Sequence, residues 1–435
     1  MSDPSAPEVS QSDLVVTRLG ECQINSPMRG LRFVDDREGV LLDPSLEAAR
    51  RRLATNELPP AFELAGPRER IFFDPGRTSA GIVTCGGLCP GLNDVIRAIV
   101  MSLHHHYGVP RVVGFQYGYE GLVARHGHAP VELTPERVSH IHEMGGTVLG
   151  SSRGNQAIGE MVDTLERERI NVLFTIGGDG TLRGAHAISE EAARRKQPIA
   201  VVGIPKTIDN DISFVQQSFG FETAGTEARR ATYAAHSEAA GARNGIGLVK
   251  LMGRDSGFIA AWAVLADSQV NFCLVPEVPF TLPALLAALE ERLARRGHAV
   301  IVVAEGAGAD LLPDAEERDA SGNIHRGDIG IFLRDAIKAH FASLGVTINL
   351  KYIDPSYTIR SVPANAHDSA FCLLLGHNAA HAGMAGRTDL VIGTWKAEFT
   401  HVPIPLAVRA RKKLDPHGWI WSSVVASTGQ PIDLR

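Results

Sequence analysis

Between Ala80 and about residue 395, short apolar runs alternate with longer stretches of helical spacing. The runs Ala80–Thr84, Arg111–Phe115, Asn171–Ile176, Ile199–Val202, Gly245–Lys250, Phe272–Val275, Ala299–Ala304, Thr347–Lys351 and Leu390–Thr394 predict strands. Helical patterns separate most of them, including Asn93–His105, Thr223–Glu238, Leu282–Arg296 and Ile329–Ser343. Strands alternating with helices predict an α/β protein with a mostly parallel sheet and helices on both faces. So many strands predict two doubly wound sheets, divided near residues 210–245. Residues 1–75 are rich in Pro, Glu, Arg and Ser with weak periodicity; they predict an extension packed on the main body, its first dozen residues disordered.

Composition narrows the function classes. The 435 residues are 44% hydrophobic and 21% charged, with a net charge of −6, which argues against a bulk preference for nucleic acid or anionic membrane. Any anion site must be a local concentration of positive groups. Five scattered cysteines fit a reducing cytoplasm rather than a disulfide framework. Cys85 and Cys89 lack a second pair at zinc spacing, and His104-His105-His106 reads as the solvated end of a helix. No signal peptide, membrane span or lipidation signal is expected.

The candidate chemistry lies where strands end, the edge at which open α/β sheets hold ligands. Gly203-Ile204-Pro205-Lys206-Thr207-Ile208-Asp209-Asn210-Asp211 gathers an ammonium, a hydroxyl and two carboxylates beyond one strand. Carboxylates crowded beside a lysine suit proton abstraction next to an anionic group. Gly86-Gly87-Leu88-Cys89-Pro90-Gly91-Leu92-Asn93 and Thr175-Ile176-Gly177-Gly178-Asp179-Gly180-Thr181 are glycine turns opening helices, with Asn93 suited to cap one. A carboxylate inside an anion-binding turn calls for a cation, and Mg²⁺ held by Asp179 and donor phosphates is the economical reading. Gly150-Ser151-Ser152-Arg153-Gly154 offers a phosphate clamp in Arg153. Leu251-Met252-Gly253-Arg254-Asp255-Ser256-Gly257, Ala304-Glu305-Gly306 and Tyr352-Ile353-Asp354-Pro355-Ser356-Tyr357-Thr358-Ile359-Arg360 supply two arginines and a carboxylate; Asp255 and Ser256 also read as caps. Each loop alone also reads as an ordinary turn; together they point to phosphoryl transfer to a hydroxyl.

The ordered motifs GGLCPGLN, GSSRG, TIGGDGT, GIPKTIDNDI, LMGRDSGFIA, AEG and YIDPSYTIR span about residues 80 to 360. In this combination the chain resembles the 6-phosphofructokinases, in wording closest to the ATP-dependent group of plants, trypanosomatids and some bacteria. The resemblance implies two Rossmann-like domains with an N-terminal extension (1–75), a nucleotide-binding domain (76–215, with later segments returning), a sugar-phosphate-binding domain (216–400) and a C-terminal extension (401–435). It implies that Asp209 takes the proton from the 1-hydroxyl of fructose 6-phosphate. The sugar would be bound by Thr207, Ile208, Asp209, Met252, Gly253, Arg254, Glu305, Tyr357, Thr358, Ile359 and Arg360. The nucleotide would be bound by Gly86, Arg153, Gly154, Gly178, Asp179, Gly180 and Thr181, with Mg²⁺ on Asp179. A family arginine that reaches a neighbouring subunit lies near Arg243, but the spacing to Met252 differs and Arg243 is left out of the set.

Donor choice is implied by two positions. Pyrophosphate-dependent relatives carry an aspartate at Gly180, which would overlap the ATP α-phosphate, so Gly180 favours ATP. Lys206 resembles the pyrophosphate type, but its pairing with glycine is typical of the plant-like ATP group. A pyrophosphate-dependent enzyme, an NAD or diacylglycerol kinase sharing the GGDGT turn, and a silent sugar-phosphate sensor remain as alternatives. The resemblance further implies an allosteric, cytoplasmic glycolytic kinase that assembles as a homodimer or homotetramer.

Overall fold

The computed structural model describes residues 9–30, 32–55, 58–312 and 327–435. The chain divides into two compact units. The first comprises Met1–Lys206, Ile212–Phe219 and Ser369–Ala410, and the second comprises Thr207–Asp211, Gly220–Asp368 and Arg411–Arg435.

The first unit is built on a nine-stranded sheet. Its spatial order is Gly39–Leu41, Ala61–Leu64, Glu398–Pro403, Leu390–Trp395, Ala200–Pro205, Val172–Gly177, Ser79–Thr84, Arg111–Phe115 and Val131–Glu132. The five strands from Leu390–Trp395 to Arg111–Phe115 are parallel, and the outer neighbours pair antiparallel. Every residue of Val172–Gly177 and Ala200–Pro205 is buried, as expected of central strands covered on both faces. In chain order the parallel strands lie 2-1-3-4-5, so the order reverses between Ser79–Thr84 and Val172–Gly177. The crevice beyond the carboxyl ends of those two strands is the topological switch point.

The second unit holds a four-stranded parallel sheet in the order Phe272–Leu274, His298–Ala304, Gly245–Leu251, Asn349–Ile353. Two of its helices show how sequence sets the elements. In Leu282–Arg296, Thr281 caps the amino end, Leu285, Leu289 and Leu293 are buried at four-residue intervals, and Gly297 ends the helix at φ +75°. In Ile329–Ser343, Asp328 caps through Ile331 N at 3.0 Å, and Ile329, Leu333, Ile337 and Phe341 form the inward stripe.

The nine apolar runs are strands, with ends moved by one to three residues. Several sequence expectations change. Leu390–Trp395, expected with the later block, pairs in parallel with Ala200–Pro205 and therefore belongs to the first unit. Residues 401–403 are the end of a strand of the same sheet rather than the start of an extension. Gly39–Leu41 is an edge strand of that sheet and Ala61–Leu64 the strand next to it, paired on both sides, so neither is appended chain. Of the dozen residues expected to be disordered, 1–8 lie outside the described residues, whereas Gln11–Leu14 form a 3₁₀ turn with Leu14 buried. The helix expected over Asn93–His105 is α-helical over Leu92–Met101 and then widens to a π-turn over Ser102–Tyr107.

Buried ionic contacts tie the amino-terminal strands to the first unit. Glu63 accepts hydrogen bonds from Arg68 (3.1 Å), Arg387 (3.0 Å) and His401 (3.0 Å), and Arg387 is only 1% exposed. Burial alone would raise the Glu63 carboxyl, but His401, Arg387 and Arg68 hold it well below the usual carboxylate range. Removing it leaves two guanidinium groups short of a counter-charge. Glu63→Ala is therefore expected to lower unfolding free energy by about 3–5 kcal/mol in urea titrations near neutral pH. The native interaction fades as pH falls through and below the ordinary glutamate range, so the difference between the two proteins shrinks in acid. A loss below about 1 kcal/mol, the scale of an exposed pair, would show that the cluster is not a clamp.

Candidate active site

Within the first unit, four loops converge beyond the switch-point strands. The turn after Ser79–Thr84 holds Gly86 at φ +85°, a conformation suited to glycine. It is tied to the neighbouring loop by Gly86 N to Ser152 O (3.0 Å) and Ser151 Oγ to Gly86 O (2.6 Å). Lys206 Nζ donates to Gly87 O at 2.6 Å, while Lys206 N donates to Gly177 O at 3.0 Å. A Cβ built on Gly86 would stand 3.2 Å from Lys206 Nζ, and one on Gly87 would stand 3.3 Å from Arg153 Nη2. The turn is thus a side-chain-free hollow walled by two cations.

The second glycine turn completes it. Asp179 is the first residue of the helix Asp179–Arg194, directly after Gly178, so that helix's free amides open at this loop. Arg183, one turn on, holds the Asp179 carboxylate at 3.2 and 3.3 Å. Gly180 is bordered by open space: a Cβ there would meet no atom within 4 Å. Thr181 is buried against Gly177. Arg153 is exposed and Gly154 takes φ +102°. Among the described residues no three His, Cys, Asp or Glu side chains cluster to cage a metal. One carboxylate beside a hollow shaped for phosphate matches the usual Mg²⁺ arrangement, in which substrate oxygens and water supply the remaining ligands.

The second unit gathers the other set. Asp209 is half-buried as a residue, but its Oδ1 is shut off from water and has no hydrogen-bond partner among the described residues. Burial, then Asp211 and Glu305, push its carboxyl up to about 7, against Arg360 and the backbone of Arg254. Thr207 Oγ1 donates to Asp211 Oδ1 at 2.6 Å, and Ser256 Oγ donates to Asp209 O at 3.2 Å. Glu305 N donates to Leu251 O (2.9 Å) and Gly306 N to Gly253 O (3.1 Å), so the loops after Gly245–Leu251 and His298–Ala304 run side by side. Gly253 takes φ +124°, and a Cβ on Gly306 would stand 1.8 Å from Arg254 O. Arg360 Nε lies 3.2 Å from Met252 Sδ.

Not every residue implied by the family turns toward ligand space. Ile359 is fully buried in the unit's core and Ile208 packs against it, so neither presents a free side chain. Tyr357 is 81% exposed and Thr358 is also exposed. Asn93 does not cap its helix; it accepts from Val148 N (2.9 Å) and donates to Met144 O (3.0 Å), and Gly91 occupies the cap. Asp255 and Ser256 do not cap the helix that follows: Gly257 holds the cap position without a side-chain cap bond, Asp255 pairs with Arg411, and Ser256 Oγ bonds to Asp209 O. Asp211 reads from the sequence as one of the two carboxylates of its loop, but the roles of Arg411 and Lys412 escaped the sequence reading. Their only signal was the basic run Arg411-Lys412-Lys413 after the last strand.

A crevice at a switch point, lined by glycine turns and cations, together with a buried carboxylate of raised basicity, defines a kinase-like phosphotransferase. Residues 79–383 match the family model "Phosphofructokinase", and the chain belongs to that family. It is 49% identical over 97% of its length to the ATP-dependent 6-phosphofructokinase of Amycolatopsis methanolica, covering 96% of that protein. It is 47% identical to the ATP-dependent 6-phosphofructokinase of Trypanosoma cruzi, with 98% and 90% of the two chains covered. The chloroplastic ATP-dependent 6-phosphofructokinase 5 of Arabidopsis thaliana is 47% identical, with 84% of this chain and 68% of that protein covered. Among solved structures, the pyrophosphate-dependent phosphofructokinase of Marinobacter aquaeolei superposes at a TM-score of 0.66, covering 78% of this chain and 86% of that one. At 20% identity that likeness speaks to the fold alone.

The environment of Asp209 has a thermodynamic signature. Its folded pKa, about 7, lies above the unfolded value of 3.8, so the folded state disfavours the charged form. Stability from this group is therefore lost as pH rises from about 4 to 7. Asp209→Asn should leave the unfolding midpoint of the ligand-free protein nearly unchanged near pH 4 and raise it at pH 8. Thermal unfolding at the two pH values measures this, and a variant less stable at pH 8 would contradict the strained-carboxylate reading.

Proposed function

We propose that the protein transfers the terminal phosphoryl group of ATP to the 1-hydroxyl of fructose 6-phosphate, giving fructose 1,6-bisphosphate and ADP. The observation that carries this reading is Asp209, a carboxylate whose surroundings make it a base near neutrality. Asp209 accepts the 1-hydroxyl proton as that oxygen bonds to phosphorus and the bond to the ADP oxygen breaks. Asp209 then returns the proton to solvent after product leaves. Arg254 and Arg360 bind the charged parts of the sugar phosphate, Glu305 accepts hydrogen bonds from its hydroxyls, and Tyr357 stands at the exposed end. Glycine turns at Gly86 and Gly178–Thr181, with Arg153 and Lys206, cradle the donor phosphates. Mg²⁺, held by Asp179 with those phosphates, would supply neutralisation of their charge. The same family resemblance supports a homodimer or homotetramer and a cytoplasmic location; no described helix is long and apolar enough to cross a membrane.

An initial-rate assay with fructose 6-phosphate, comparing ATP with pyrophosphate, tests the whole reading. Asp209→Asn should lower turnover by about 10²–10⁴. The wild-type kcat/KM should fall tenfold per unit of pH below about 7, because the base must be unprotonated. Turnover near normal in the variant, or a flat acid limb in the wild type, removes Asp209 as the base.

Donor choice is tested at Gly180. The open space there lets an aspartate enter without displacing the fold. A second negative charge at about 4 Å from a donor phosphate, at an effective dielectric of about 20, is repelled by about 4 kcal/mol. Gly180→Asp should therefore lose ATP use by roughly three decades while retaining folding. Wild-type preference for pyrophosphate, or normal ATP activity in the variant, would overturn the assignment of Gly180.

A further inference from the structure

The loop carrying Asp209 is held from a distant part of the chain. The Asp211 carbonyl accepts from Lys412 N at 2.8 Å, and Asp211 Oδ2 lies 3.9 Å from Arg411 Nη1. The same Arg411 guanidinium forms an ion pair with Asp255, beside the Met252–Arg254 loop. Three residues on, Leu414 N donates to Glu277 Oε1 at 2.8 Å, and both Glu277 oxygens accept from Gly257 N at 3.0 Å. Ser256 Oγ closes the ring by bonding to Asp209 O at 3.2 Å. Leu414 is 2% exposed within the unit's core and anchors the segment.

The ring has a physical purpose. Asp209, Asp211, Asp255 and Glu305 crowd negative charge into a small volume, and like charges drive their loops apart. Asn210 between the two aspartates takes φ +55°, the left-handed turn conformation that asparagine tolerates. Arg411 stands between two of the carboxylates and draws both loops to one point. The Lys412 ammonium lies 5.3 Å from the centre of the Phe258 ring, and burial lowers its pKa to about 7 while Asp211 acts to raise it.

We propose that Arg411–Leu414 is a strap that positions the acid–base loop of the phosphoryl-transfer site, with Arg411 its decisive residue. Arg411 holds Asp211 and Asp255 in place, and acts through Asp209 rather than on substrate. The idea rests on the function proposed above for Asp209.

The test separates the two. In Arg411→Met, kcat with fructose 6-phosphate and ATP should fall by about 10- to 100-fold, the range expected when a reacting group is misplaced by an ångström or less. KM for ATP should stay within about twofold, since the donor loops belong to the other unit. Arg411→Lys should recover part of the loss by restoring one charge contact. In an Asp209→Asn background Arg411→Met should cost nothing further, because a strap for the base has nothing left to position. Independently of activity, hydrogen exchange in the ligand-free protein should quicken at 207–211 and 253–257. Unchanged kcat and exchange in Arg411→Met, or an equal loss with and without the Asp209 carboxylate, overturns the strap. Absent fructose 6-phosphate kinase activity in the wild type, with exchange faster in Arg411→Met, instead overturns the function reading and leaves the strap as the mechanical constraint on that loop.

Discussion

A carboxylate gains basicity toward neutral pH when water is kept from it or other negative charge is kept near it. Both conditions oppose folding. Asp209 meets them through its buried Oδ1 and its neighbours Asp211 and Glu305. The second unit is organised around tolerating that cost. The parallel strands Gly245–Leu251 and His298–Ala304 keep their register past their ends, through Glu305 N to Leu251 O and Gly306 N to Gly253 O. Glycine is required at 306, where any side chain would strike Arg254 O.

The first unit solves a different problem with the opposite means. A phosphate chain needs backbone amides and cations that side chains do not crowd. Gly86, Gly87, Gly178 and Gly180 leave that space, and Lys206 and Arg153 line it. The sheet's strand order places these turns at its switch point, so the position of the hollow follows from topology before any side chain is considered. The second unit sets Asp209, Asp211 and Glu305 close together and the first sets Lys206 and Arg153 beside glycine turns, local arrangements that a net charge of −6 does not reveal.

Much of this was legible in the sequence. The capped helices Leu282–Arg296 and Ile329–Ser343 read correctly to the residue and the apolar runs to within three, because local spacing and caps determine them. The loops of the candidate site were visible as clusters of turn-forming and charged residues, after a strand in every case but residues 150–154, which precede a helix. What escaped depends on distant pairing. Leu390–Trp395 gave no sign of joining Ala200–Pro205, since a parallel partner is chosen by the whole sheet. Asn93 looked like a cap, but its amide is used to hold Val148 and Met144. Ile359 sits in a binding motif yet packs in the core, on the same buried face of its short helix as Ser356 three residues earlier. Arg411 lies more than 150 residues from Asp255, and nothing local announces that they meet.

Gly180 has ordinary backbone geometry and empty space beyond its Cα. In the standard genetic code every glycine codon becomes an aspartate or a glutamate codon by a single base change. A lineage can therefore sample an acidic side chain at this position in one step, with no compensating change elsewhere in the fold. Under the donor assignment proposed for Gly180, the supply of phosphoryl donors rather than protein stability would decide which residue is kept there.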